Sequence, residues 1–173
     1  MGNKGYSVSN DEASYVVRGD ITGNNEAEID RRSFSVAAIS TRSDDNRMVV
    51  EGLVAPYNTP AWADGMPEVI MPGAFEPMLT GIAQGKHHVH AIRNHSQEHK
   101  ADYDKLLATT KNKSLIFNDT EEGLRATMIF PDVDYARATY RMIKGGYLDS
   151  ASFGFIMDLT ERQYRNGVRE IHS

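Results

Sequence analysis

Apolar residues along the chain fall mostly in short alternating bursts separated by polar turns. Phe34, Val36 and Ala38 alternate with Ser33, Ser35 and Ala37, and Met48-Val49-Val50-Glu51-Gly52-Leu53-Val54-Ala55 follows the polar turn Ser43-Asp44-Asp45-Asn46. That pattern predicts a β-hairpin near the start of the folded region. A loop carrying Pro56, Asn58, Pro60, Gly65 and Pro67 comes next, where prolines disfavour a central strand, and Val69-Ile70-Met71 reads as a short edge strand. Phe75, Met78, Leu79 and Ile82 stand at helical spacing between Ala74 and Gln84, with Pro77 in the first turn and Gly85 as the stop. His88 to Arg93 alternates as a strand, and Leu106–Thr110, Ser114–Asn118 and Leu124–Phe130 read as three more. Their connectors are too short for crossover helices, so the pairing is antiparallel.

A second helix, Val133 to Lys144, takes Asp132 as its cap, an apolar face from Tyr135, Ala136, Thr139, Tyr140, Met142 and Ile143, and a stop at Gly145-Gly146. Leu148 to Leu159 then predicts a strand containing Ser150, Ser152 and Gly154. Asn166-Gly167 favours a type I′ hairpin turn, and Val168 to Ser173 begins a last strand. Residues 1–31 are rich in Gly, Asn, Ser, Asp and Glu, with one apolar cluster at Tyr15-Val16-Val17, and are read as a flexible N-terminal arm ahead of a domain at 32–173. The fold class is mainly β, with about two flanking helices.

Composition narrows the chemistry. At 173 residues the chain makes one compact domain. The absence of cysteine removes disulfides, thiolate metal sites and cysteine nucleophiles together, so covalent catalysis would fall to Ser, Thr, Lys or a carboxylate. A net charge of −5 gives no general attraction to nucleic acid or an anionic membrane. No apolar run approaches the roughly 18–20 residues of a membrane span, and the first residues lack a signal peptide's apolar stretch, so a soluble intracellular protein is expected.

His95, between Asn94 and Ser96, ends an alternating strand, and Ser152 lies among small neighbours, Ala151 and Gly154. An imidazole can take a hydroxyl proton near neutral pH, and small neighbours leave backbone N–H groups open to a developing oxyanion. The likeness to the G-x-S-x-G elbow is partial, because Ser150 takes the place of the first glycine. By spacing alone, a serine in such a strand is a packing position. His87, His88 and His90 form a histidine cluster, and a zinc site using His88, His90 and His99 is one reading. Zinc needs three or four converging ligands, and a solvated strand edge explains them more simply. Asp119, Glu121 and Glu122 read as a solvated turn. Tyr57 and Trp62 read as a substrate wall or as buried plugs, burial being the simpler reading.

The order of the landmarks adds what none gives alone. Gly52-Leu-Val-Ala-Pro-Tyr-Asn58, Glu68-Val-Ile-Met-Pro-Gly-Ala-Phe75, Ile92-Arg-Asn-His95, Glu122-Gly-Leu124 and Ile143-Lys-Gly-Gly-Tyr-Leu-Asp-Ser-Ala-Ser-Phe-Gly-Phe155 together resemble the prohead (capsid maturation) serine proteases of tailed bacteriophages over residues 32–173. The resemblance implies a herpesvirus-assemblin-like antiparallel β-barrel and cleavage of scaffold segments and capsid-protein extensions inside the assembling prohead, in the host cytoplasm. It implies Ser152 as nucleophile and His95 as general base, with no cofactor and no metal, and it admits a homodimer, for which the 133–144 helix is one surface. Family members usually continue into a strand containing Glu-Val-Ser, so the domain is expected to lack its final C-terminal strand and any orienting carboxylate there. Residues 96–113 are polar where relatives commonly place a glycine soon after the histidine. The alternative reading is a non-catalytic capsid-assembly or scaffold factor that keeps the fold.

Overall fold

The computed structural model describes residues 13–16, 30–35, 40–44, 47–63, 66–93, 105–155 and 163–172. Its strands are β1 (Ala13–Val16), β2 (Asp30–Ser35), β3 (Ser40–Asp44), β4 (Arg47–Pro56), β5 (Ala61–Ala63), β6 (Met66–Ile70), β7 (His90–Ile92), β8 (Leu106–Thr109), β9 (Leu115–Thr120), β10 (Gly123–Phe130), β11 (Ser150–Phe155), β12 (Gln163–Arg165) and β13 (Val168–Ile171). The helices are α1 (Glu76–Ala83) and α2 (Asp134–Lys144). Three sheets result, in the orders β2-β11-β1-β7-β8, β3-β4-β10-β9 and β12-β13-β6-β5. The class is mainly β with two helices, and the pairing is antiparallel except for β1 with β11 and β13 with β6. No sheet is seen to close into a barrel among the described residues.

The β3-β4-β10-β9 sheet shows how the alternation works. Leu124, Ala126, Met128 and Phe130 of β10 are buried and share one face, because successive side chains in a strand point to opposite sides. They join Val50 and Val54 of β4, Leu115 of β9 and Ile143 of α2 in a single core that also takes in Leu107, Phe153 and Ile171. Helix α2 contributes Ala136, Thr139, Tyr140 and Ile143 to burial, so its apolar stripe is spent within the chain. Tyr135 anchors it by donating its hydroxyl to the Leu106 carbonyl at 2.7 Å.

Several expectations change. The early hairpin is β3 with β4, whereas the Phe34 strand, β2, pairs with β11 instead. Ser40–Asp44 was hidden because a polar edge strand carries no apolar alternation. Ala13–Val16, inside the segment read as an arm, forms β1 at the centre of the first sheet. Strand β6 is interior rather than an edge. Its Pro67 is tolerated because it faces Trp62 of β5, while pairing to β13 starts one residue later, at Glu68. Asp132 does not cap α2. Val133 is the N-cap residue, without a side-chain cap bond, and Asp132 instead accepts from Arg137. The Asn166-Gly167 turn is as expected, with φ of 53° and 78°, the signs that a type I′ hairpin requires.

Strands β6 and β13 place Glu68 opposite Arg169, and each side chain is only 2% exposed. Arg169 Nε donates to Glu68 Oε2 at 2.5 Å, and a second guanidinium nitrogen contacts the same oxygen. Two desolvated charges tolerate one another only as a pair. Glu68→Leu alone should therefore lower unfolding stability by about 3–5 kcal/mol in urea titration. The double change Glu68→Leu with Arg169→Met should recover much of that loss; a double variant as unstable as the two singles summed would mean the pair is not the source of the cost. At Gly123, φ is +140° and an added Cβ would lie 2.2 Å from the Ala55 carbonyl oxygen, whereas at Gly73 φ is +89° with open space around it. Gly123→Ala should accordingly cost on the order of 2–3 kcal/mol in the same titration, and Gly73→Ala clearly less.

Candidate active site

Ser152 lies in β11 with a strand on each side: it is the register partner of Ser33 in β2 and of Ser14 in β1. Its strand neighbours Ala151 and Phe153 are 1% and 5% exposed, so both belong to the core and Ser152 holds the opposite parity of the strand. This packing comes from the sequence itself, since Ala151 and Phe153 are apolar members of the alternation Ser150 to Phe155.

Phe153 is where the separate landmarks meet. Its ring lies edge-on to Phe75, with centroids 5.8 Å apart and planes at 73°, and Phe75 in turn stacks on Tyr57 at 6.1 Å and 25°. Both separations lie within the favourable range for aromatic pairs. Tyr57 closes the series by donating its hydroxyl to Asp119 Oδ1 at 2.6 Å. Burial, then the hydrogen bond and negative charge of Asp119, hold the Tyr57 phenol well above the usual tyrosine range, opposed by a backbone hydrogen bond from Gly73. Asp119, expected in a solvated turn, is exposed as expected but lies in strand β9, from which it accepts the Tyr57 hydroxyl.

The backbone around Phe75 is equally constrained. Tyr57 N–H donates to the Glu122 carbonyl at 2.9 Å, and Asn58 N–H to that of Ile70 at 3.0 Å. Gly123 lets β10 approach Ala55 closely, as the contact an added Cβ would make demonstrates. Met71 N–H donates to the Ile171 carbonyl at 2.9 Å, tying the Pro72-Gly73 turn to β13. Phe75 precedes α1, and Gly73 supplies the positive φ at the turn.

His95 lies outside the described residues. The strand that leads to it does not: β7 pairs with β8 and β1, Arg93 N–H donates to the Lys105 carbonyl at 3.2 Å, and Arg93 Nη2 lies 3.7 Å from Met142 Sδ of α2. The stem on which the Asn94-His95 segment is mounted is therefore fixed on both flanks. His88 and His90 are half-buried rather than on a solvated edge; His90 opens the interior strand β7, His88 precedes it, and His87 packs its ring against Gly81 of α1. His99, the third member of the zinc reading, lies outside the described residues, and no cluster of three His, Asp or Glu is present among the described ones. Tyr57 is buried as expected, but Trp62, on the edge strand β5, is 79% exposed. No helix among the described residues is long and apolar enough to cross a membrane.

Sequence reasoning missed Arg169 and the partnership of Glu68. An arginine in a short terminal strand carries no sign of burial, and only the parallel register with β6 reveals it. It also missed the Tyr57–Phe75–Phe153 series, although all three aromatics stand inside the landmark motifs.

Comparison with known proteins matches residues 36–173 to the caudovirus prohead serine protease family. No curated protein and no solved structure matches. The match spans β3 to β13, taking in the β11 serine strand, the aromatic series beside it and the buried Glu68–Arg169 pair. On that coverage the chain belongs to the caudovirus prohead serine proteases, the phage family of capsid-maturation peptidases.

Proposed function

We propose that the chain is a serine endopeptidase that cleaves scaffold and capsid-protein extensions during prohead maturation, in the host cytoplasm and inside the assembling particle, with Ser152 as nucleophile and His95 as general base. The family match over residues 36–173, which includes both residues, carries the reading. Two features support it. Ser152 occupies a strand locked at its neighbours Ala151 and Phe153, which suits a nucleophile that must be held in place. Strand β7 delivers the chain toward His95 from a stem secured on both sides.

In this reading Ser152 Oγ attacks the scissile carbonyl while His95 takes its proton. Backbone N–H groups stabilise the oxyanion, and the imidazole then returns the proton to the leaving amine. Water hydrolyses the acyl-enzyme by the same route in reverse, and no cofactor enters the cycle.

Purified protein incubated with its capsid and scaffold partners, followed by mass spectrometry of the products, tests this. Ser152→Ala and His95→Gln should each reduce kcat/KM by about 10⁴-fold or more, with melting temperatures close to the parent's. Equal processing by the parent and Ser152→Ala would remove the serine mechanism. Assembly promoted without any cleavage, and indifferent to Ser152→Ala, would identify a non-catalytic assembly factor.

A further inference from the structure

The first sheet has an unusual construction. Among the described residues, its halves β2-β11 and β7-β8 are joined only through β1. Strand β1 runs parallel to β11, with Ala13 opposite Ala151 and Ser14 opposite Ser152. It runs antiparallel to β7, with Tyr15 opposite Ala91 and Val16 opposite His90. The strands that flank it lie inside the family-matched region, whereas β1 itself precedes residue 36. The family domain thus presents two facing strand edges, and this chain fills the space between them from its N-terminal segment.

We propose that the position of β1 is a strand-accepting slot for an extended polypeptide, filled in cis by residues 13–16, and that a substrate peptide enters by displacing them. Adjacent strands lie about 4.8 Å apart, so removing β1 would leave a gap about 9–10 Å wide between two edges of unpaired N–H and C=O groups, the width that one strand fills. Such a ladder binds main chain whatever its side chains, and alternate residues of the guest then provide selectivity. The register sets the position, since a guest following β1 passes alongside Ser152 with its other edge on the strand that leads to Asn94-His95. Recognition of a substrate here rests on the serine-protease reading; the slot itself rests on the pairing alone. With only four residues, β1 is a short occupant that a longer peptide can outcompete.

The absence of cysteine makes a clean test possible in the full chain. Tyr15 and Ala91 are register partners across an antiparallel pair, where Cα atoms lie about 4.5–5.5 Å apart, within disulfide range. The variant carrying Tyr15→Cys and Ala91→Cys should cross-link on oxidation and lock β1 in place. A fluorescein-labelled synthetic peptide with the sequence of residues 10–20 serves as probe, read by anisotropy. The oxidised protein should bind it at least tenfold more weakly than the same protein reduced. Val16→Pro, which weakens β1 as a central strand, should bind it at least tenfold more tightly than the parent. Cysteines that fail to cross-link, or equal binding by the oxidised and reduced forms, would overturn the slot, and this redox comparison decides alone if Val16→Pro does not fold. Capsid-protein cleavage is followed in parallel. Cleavage unaffected by the lock would overturn the slot as the substrate's site, whereas gated peptide binding without cleavage in any protein would uphold the slot and sink the serine mechanism instead.

Discussion

The burial of Phe153 is the constraint on which the arrangement around β11 depends. A strand offers two faces, and once Ala151 and Phe153 are committed to the core, the parity of Ser152 is no longer free. A slip of one residue would put Phe153 in the wrong face and separate it from Phe75, so the aromatic contact and the serine's register stand or fall together. Tyr57 and Asp119 extend the same constraint to β4 and β9, which links the candidate site to the largest part of the core.

Much of this is legible in the amino-acid sequence. Strand β10 could be read from Leu124, Ala126, Met128 and Phe130, helix α2 from its apolar stripe, and the β12–β13 turn from Asn166-Gly167, because in each case local chemistry and tertiary environment favour the same conformation. The polar strand β3 was not legible, and neither was the interior position of β6 or the placement of β1. Strand β3 pairs with its neighbour β4 but carries no apolar alternation, whereas β6 and β1 owe their pairing to partners distant in sequence, and no periodicity reports a distant partner.

The candidate site divides in the same way. The motif order brought out Ser152 and His95, which no single spacing could have done, and the family match encompasses both. What surrounds Ser152 had to come from structure: that Phe75 of one motif touches Phe153 of another, and that Tyr57 is sunk while its loop neighbour Trp62 stands exposed. Side-chain type alone does not separate those two aromatics, because whether a ring is covered depends on what lies across from its strand.

The Glu68–Arg169 pair also has a bearing on synthesis. Its partners are 101 positions apart, so in a nascent chain Glu68 meets Arg169 only after the intervening residues have left the ribosome. Among the described strands, the β6–β13 pairing consequently closes after the more local β4-β10-β9 pairing. Because Met71 is tied to β13, the turn that carries Phe75 toward β11 settles only after that strand has emerged. The turn that packs Phe75 on Phe153 is therefore fixed only after Ser152 itself has been made, so the site cannot be ordered ahead of the strand that follows it.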